Sequence, residues 1–288
     1  MRFLAPTILA VSALALPASA QAVGAISSNW AGYVARPPAG KHVRSVSGTW
    51  VEPAVRCIAG RASYAAVWVG LGGFSQNAGG LEQIGSDSDC TSSGRAVYST
   101  WFELPPAGAR GLGVNVRPGD RITASATVIG RDATLALRDL TSGARASRTL
   151  RVRNIDVSTA EWIVESPSGC LPSGSCRTLP LADFGQVSFT GATATLGSTT
   201  STITGGAWSP TSLQLQAIRV LPAEGPAEES PRFARALVLA TPSPSSPADG
   251  SFTVTYTERR EELHHREGPP LPGFGGRPPN PGSGGPSR

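Results

Sequence analysis

Histidine is nearly missing from this chain, with three in 288 residues: His42, His264 and His265. Two of these lie in a C-terminal segment too rich in Pro, Gly and charge to build a packed frame. Serine–histidine and cysteine–histidine catalysis, and histidine-built zinc sites, are thereby left almost without material. Neither a G-x-S-x-G nor an H-E-x-x-H stretch occurs. Gly70, Gly72 and Gly73 are followed by no helix and no Lys-Ser/Thr pair, which excludes a phosphate-cradling loop. No window of helical length repeats apolar residues at i, i+3, i+4 and i+7, and Gly, Pro, Ser and Thr are too frequent for long helices. The formal net charge of +5 comes from cations scattered along the chain. No basic stripe with interleaved aromatics is present, so nucleic acid is not an expected partner.

What is there begins with the ends. Met1-Arg2 precedes an apolar run from Phe3 to Leu16 that closes in Ala18-Ser19-Ala20. This is the pattern of a secretory signal peptide over residues 1–20, with little room for a propeptide before the first strand-like piece. A membrane anchor needs a longer apolar stretch and none follows, so an extracellular protein with no membrane partner is expected. Residues 258–288 open with a mixed charge cluster and continue in Pro, Gly and Ser, the composition of a disordered tail. Between them, residues 21–257 are sized for one large all-β domain.

In an exported chain Cys57, Cys90, Cys170 and Cys176 favour disulfides, and three pairings are possible. The short interval from Cys170 to Cys176 suits a stapled hairpin tip, which leaves Cys57 with Cys90. A metal site lacks both C-x-x-C spacing and nearby histidines.

Period-two alternation and β-branched or aromatic enrichment predict strands over residues 27–34, 43–51, 65–71, 81–87, 96–104, 121–129, 133–140, 146–152, 160–165, 187–196, 213–221 and 252–257. Turn signals such as Pro118-Gly119-Asp120 separate them. The expected fold is all-β, two packed antiparallel sheets in a concanavalin-like sandwich with one concave, substrate-sized face.

The stretch Ala160-Glu161-Trp162-Ile163-Val164-Glu165 carries the chemistry. As a strand it sends Glu161, Ile163 and Glu165 to one face, and Trp162 and Val164 to the other. Carboxylates on a partly apolar face fit a binding cleft. With histidine, thiol and metal chemistry set aside, the remaining groups are Glu82, Glu103, Glu161, Glu165, Gln83 and Asp87. Trp162 is expected in the core, and Glu82 and Glu161 are expected to be structural or solvent-facing. Asn29 fits strand-edge hydrogen bonding and a substrate contact equally.

At these residues the chain resembles a known family. Asn29-Trp30-Ala31-Gly32, Val67-Trp68-Val69-Gly70, Leu81 to Asp87, Tyr98 to Glu103 and Ala160 to Glu165 are similar, in order and spacing, to the successive motifs of the glutamic peptidases, or eqolisins. The resemblance runs from Ile26 to Thr257 and is read as that of a secreted, bacterial-type member. It implies a β-sandwich endopeptidase acting on polypeptides at acid pH, with no metal or cofactor; a monomer is expected. It also implies catalytic roles for Gln83 and Glu165, and places Trp30, Trp68, Asp87 and Glu103 around the substrate.

Two positions depart from the fungal pattern: Gly72 follows the Trp-Val-Gly motif where an acid stands, and Ser99 occupies an aspartate's place. On ordinary values, a glutamate near 4.3 could serve as a general base at acid pH. A competing reading is carbohydrate hydrolysis or binding on a tryptophan-lined sandwich, with Glu103 and Glu165 as the acid pair.

Overall fold

Alternating apolar and polar side chains organise this chain into strands. The computed structural model describes residues 24–74, 80–170, 175–220 and 234–257. No helix occurs among them, and so none long and apolar enough to cross a membrane. The expected signal peptide and tail lie outside the described residues.

In chain order the strands are β1 (Ala25–Ser27), β2 (Trp30–Arg36), β3 (Val43–Val51), β4 (Ala66–Gly72), β5 (Leu81–Cys90), β6 (Ala96–Leu104), β7 (Ala107–Gly111), β8 (Arg121–Ile129) and β9 (Asp132–Asp139). They continue with β10 (Arg145–Arg151), β11 (Ala160–Glu165), β12 (Ser168–Cys170), β13 (Cys176–Thr178), β14 (Gln186–Leu196), β15 (Thr199–Thr202), β16 (Ser209–Val220), β17 (Ala234–Pro242) and β18 (Phe252–Tyr256).

Pairing runs β10-β9-β8-β3-β14-β18-β17-β16-β2-β11-β4-β5-β6-β7. The ribbon folds back on itself, so that β3 and β8 lie against β4, β8 and β9 against β5, and β3 and β14 against β11. The result is a two-layer antiparallel sandwich, bordered where β16 pairs β17 across a register irregularity. β1 adds a parallel edge to β16.

The interior follows from the alternation. Trp50, Val67, Val69, Leu71, Ile84, Ile122, Leu135, Trp162, Val164 and Phe189 meet between the layers. Trp162 donates its indole N–H to the Ser47 carbonyl at 2.8 Å. It fits there because Gly48 has no side chain; a Cβ at Gly48 would lie 2.9 Å from the Trp162 ring. A second cluster, Val34, Ala66, Trp68, Trp101, Ile163 and Leu213, covers the other face of the β16-β2-β11-β4-β5-β6 layer. That face is the one Glu165 shares.

Disulfides join Cys57 to Cys90 and Cys170 to Cys176, the first tying the segment before β4 to the end of β5. The second staples the small β12–β13 hairpin that follows β11.

Candidate active site

β11 lies between β2 and β4, with Glu165 opposite Trp30 on one side and Ala66 on the other. β5 pairs with β4 so that Gln83 faces Gly70, and with β6 so that Gln83 faces Glu103. Because side chains alternate, Glu161, Ile163, Glu165, Trp68, Gln83, Asp87, Trp101 and Glu103 all emerge on one face. Gln83 and Glu165 stand two side-chain rows and two strands apart, and no hydrogen bond joins them.

The Trp68 indole spans that interval. Its N–H donates to Glu165 Oε2 at 2.8 Å. Its far edge lies over Gly70, where a Cβ would sit 2.9 Å from Trp68 Cζ3 and 3.3 Å from the Gln83 Cβ. Glycine at position 70 therefore leaves room for the far edge of the indole beside Gln83, while its N–H end meets the Glu165 carboxylate. Trp30 meets Trp68 edge to face at 5.0 Å between ring centroids and stacks on Phe74 at 6.4 Å. The Arg36 guanidinium lies 4.6 Å from the Phe74 ring centre, a cation–π contact at the rim.

Each oxygen of Glu165 has its own donor: Trp68 holds Oε2, and Asn29 Nδ2 donates to Oε1 at 3.1 Å. Gln83 Nε2 donates to Glu103 Oε2 at 2.7 Å, while Gln83 Oε1 is buried without a donor among the described residues. Asp87 accepts from the Ser99 hydroxyl at 3.0 Å.

Burial dominates the electrostatics. It pushes Glu165 up to about 7, against the pull of N–H groups on Trp68, Trp30 and Asn29, with the Glu103 charge raising it further. This corrects the expectation from ordinary values: the carboxyl is largely protonated in acid because the face around it is apolar. Asp87 rises to about 6, again chiefly through burial, with Ser99 and Trp101 opposing and Glu103 adding. Burial also raises Glu103, and the Gln83 hydrogen bond offsets part of this.

Glu82 and Glu161 are not solvent-facing; they are 1% and 0% exposed. Glu82 lies on the interior side of β5 and Glu161 on the site face, where Asp156 and Arg36 act on it electrostatically. Burial raises both groups, Glu82 to about 8 and Glu161 well above the usual range, with no well-formed hydrogen bond to their oxygens among the described residues.

Sequence reasoning missed Asp156. A Cβ on Gly72, whose φ is +79°, would lie 2.5 Å from Asp156 Cβ and 2.7 Å from Cγ. Asp156 thus fills the space that a side chain at position 72 would take. It is fixed there by N–H groups of Gly73 at 3.2 Å and Ser158 at 2.9 Å. No local pattern could reveal this, since it comes from the loop before β11. Asn29 was visible beside Trp30, but its bond to Glu165 spans 136 residues.

A carboxyl on Glu165 and an amide on Gln83, sharing the aromatic face of a β-sandwich, are groups suited to a hydrolase of the glutamic type. Comparison with known proteins agrees. Residues 28–221 match the model of the peptidase A4 family. Aspergillopepsin-2 of Aspergillus niger is 29% identical over 197 residues, covering 60% of this chain and 66% of that protein, just under two thirds of its length.

Among solved structures, scytalido-glutamic peptidase with a peptide-based transition-state analogue superposes with a TM-score of 0.62 at 20% identity, covering 80% of this chain and 98% of that one. SCP-B, an eqolisin complexed with the tripeptide Ala-Ile-His, gives 0.59 at 20% identity over the same shares. These likenesses show the fold. The family match spans more than half of the chain, and the protein belongs to the peptidase A4 family, the glutamic peptidases.

Proposed function

We propose that the protein is a secreted acid endopeptidase in which Glu165 is the general base and Gln83 stabilises the oxyanion. The observation that carries this is the seating of Glu165: a carboxylate held at both oxygens by neutral N–H donors, on the same face as Gln83 and across one indole from it. Ionised Glu165 takes a proton from a water whose oxygen attacks the scissile carbonyl carbon. A Gln83 N–H donates to the oxygen that becomes negative; one such donor contributes about 10²–10³ in rate. As the C–N bond breaks, Glu165 returns the proton to the leaving amine and is a carboxylate again. Trp30, Asp87 and Glu103 line the substrate; Trp68, expected beside them from the sequence, is fully buried and supports Glu165 from beneath.

The family likeness supports an acid optimum; the burial of Glu165 works against it, because its ionised form is the minority below about 7 in the free protein. Glu165 must be ionised, whereas charge on Glu103 or Asp87 opposes both that ionisation and the developing oxyanion. The acid limb of the profile therefore has an apparent pKa that belongs to the group of acids and not to Glu165 alone. The composition of residues 1–20 supports a signal peptide and export, and that of residues 258–288 a tail, which leaves 21–257 as the catalytic domain. Gly72 and Ser99 remove two acids of the fungal pattern, which bears on the pH optimum and subsite preference; the bacterial type stays a reading of the sequence.

Incubating the mature protein with denatured casein from pH 2 to 8, beside a panel of polysaccharides, tests the class. Acid proteolysis resistant to pepstatin and chelators is expected; cleavage of glycans and not of protein contradicts it. E165Q and Q83A should each abolish turnover with the fold intact, and a fully active variant of either removes that residue from the mechanism.

A further inference from the structure

The Asn29 amide is held at both its oxygen and its nitrogen. Its Oδ1 accepts from the Ser27 hydroxyl at 3.2 Å, and its Nδ2 donates to Glu165 Oε1 at 3.1 Å. Ser27 Oγ itself accepts from the backbone N–H of Trp30 at 3.1 Å and of Asn29 at 3.4 Å. Its own proton is therefore left for an acceptor, which sets the amide with its oxygen toward Ser27 and its nitrogen toward the carboxylate. The Asn29 carbonyl accepts from the N–H of Ser166, the residue after Glu165, at 2.8 Å. One residue thus grips Glu165 by side chain and by backbone.

We propose that Asn29 is a positioning residue for the base, the middle of a Ser27–Asn29–Glu165 relay that fixes one carboxylate oxygen and favours its ionised form. The inference rests on Glu165 being the base. Trp68 occupies the other oxygen, so the relay decides how the carboxylate is turned toward an attacking water. The donors are neutral, and Glu103 is the charged side chain acting on this carboxyl among the described residues. An anion accepting from a neutral amide is favoured over the neutral acid, whose gain from the same bond is smaller.

The test is kcat and KM against pH on an internally quenched peptide for N29A, N29D and S27A. N29A should move the acid limb of kcat/KM upward by about one pH unit, with about a tenfold loss at the foot of that limb and KM within twofold. N29D keeps the shape but replaces the donor with a like charge, and should move the limb further. S27A should move it in the same direction by less. A raised KM with an unmoved limb would make Asn29 a substrate contact, and a lowered melting temperature with an unmoved limb would make the bond merely structural; either overturns the relay. E165Q, assayed alongside, separates the two levels: if it retains turnover, the base assignment has failed whatever Asn29 does.

Discussion

Replacing Glu52 by Gln should free the fold from a loss of stability that the wild-type protein suffers as pH rises. Glu52 is 1% exposed in the sandwich interior, beneath the strand that carries Gln83 and Asp87. Its oxygens accept from Ser86 Oγ at 2.5 Å, Ser88 Oγ at 2.6 Å and Trp50 Nε1 at 3.4 Å. Burial pushes it up to about 7, the two serines and the tryptophan pull it down, and the Asp87 charge raises it slightly.

The folded pKa lies above the unfolded one, so between about 4.5 and 7 the folded chain holds a proton that the unfolded chain has released. The contribution is fully present below 4.5 and is lost as pH rises through 7. A shift of this size corresponds to about 3 kcal/mol, against a total stability of about 5–15 kcal/mol for a typical domain. Glu82 and Glu161 are raised in the same sense and extend the loss to higher pH.

Gln mimics the protonated carboxyl: its oxygen accepts from one serine and its NH₂ donates to the other. Urea denaturation followed by tryptophan fluorescence, in an E165Q background to prevent autolysis, measures the effect from pH 4 to 9. E52Q should match its parent at pH 4.5 and exceed it by up to about 3 kcal/mol at pH 8. A parent whose stability rises with pH, or an E52Q variant no better at pH 8, would falsify the reasoning.

Three further outcomes follow from the site and its frame. E103Q removes the charge that raises Glu165, so the acid limb of kcat/KM should move to lower pH; movement upward contradicts the electrostatic account. In G85A the new Cβ would lie 2.2 Å from the Val67 carbonyl and 2.6 Å from Trp68 Cβ, so β4 and β5 must separate. A cost of about 1–3 kcal/mol and loss of activity at unchanged acid limb are expected by chemical denaturation and peptide assay. Opening the Cys57–Cys90 bridge, which closes a 33-residue separation, by a C57A/C90A pair should cost about 3–4 kcal/mol; an unchanged denaturation midpoint argues against a role in stability.

The layout of this face was largely legible in the sequence. The period of two in Ala160–Glu165 sent Trp162 and Val164 into the interior and Glu165 to the outer face, where they are found. The motif spacing brought Trp30, Trp68, Gln83, Asp87 and Glu103 to that same face because β2, β4, β5 and β6 are its neighbours in the sheet. Elsewhere local patterns were silent. β7, Ala-Gly-Ala-Arg-Gly, is an exposed edge with no alternation to read. β17 sits among Pro-rich stretches that signal loop, yet it pairs with both β16 and β18. Asp156 fills the space above Gly72 from a segment more than eighty residues away in the chain.

By itself the sequence determined the fold class, the faces of the strands, and which kinds of chemistry were open, because alternation and residue type are local properties. Tertiary structure decided how charged those residues are and what holds them. Glu165 behaves as an acid near neutrality, and Glu82, Glu161 and Glu52 are buried carboxyls, because layers packed from distant segments strip water from them. Hydrogen bonds across more than a hundred residues, such as that from Asn29, then set which oxygen of Glu165 is held.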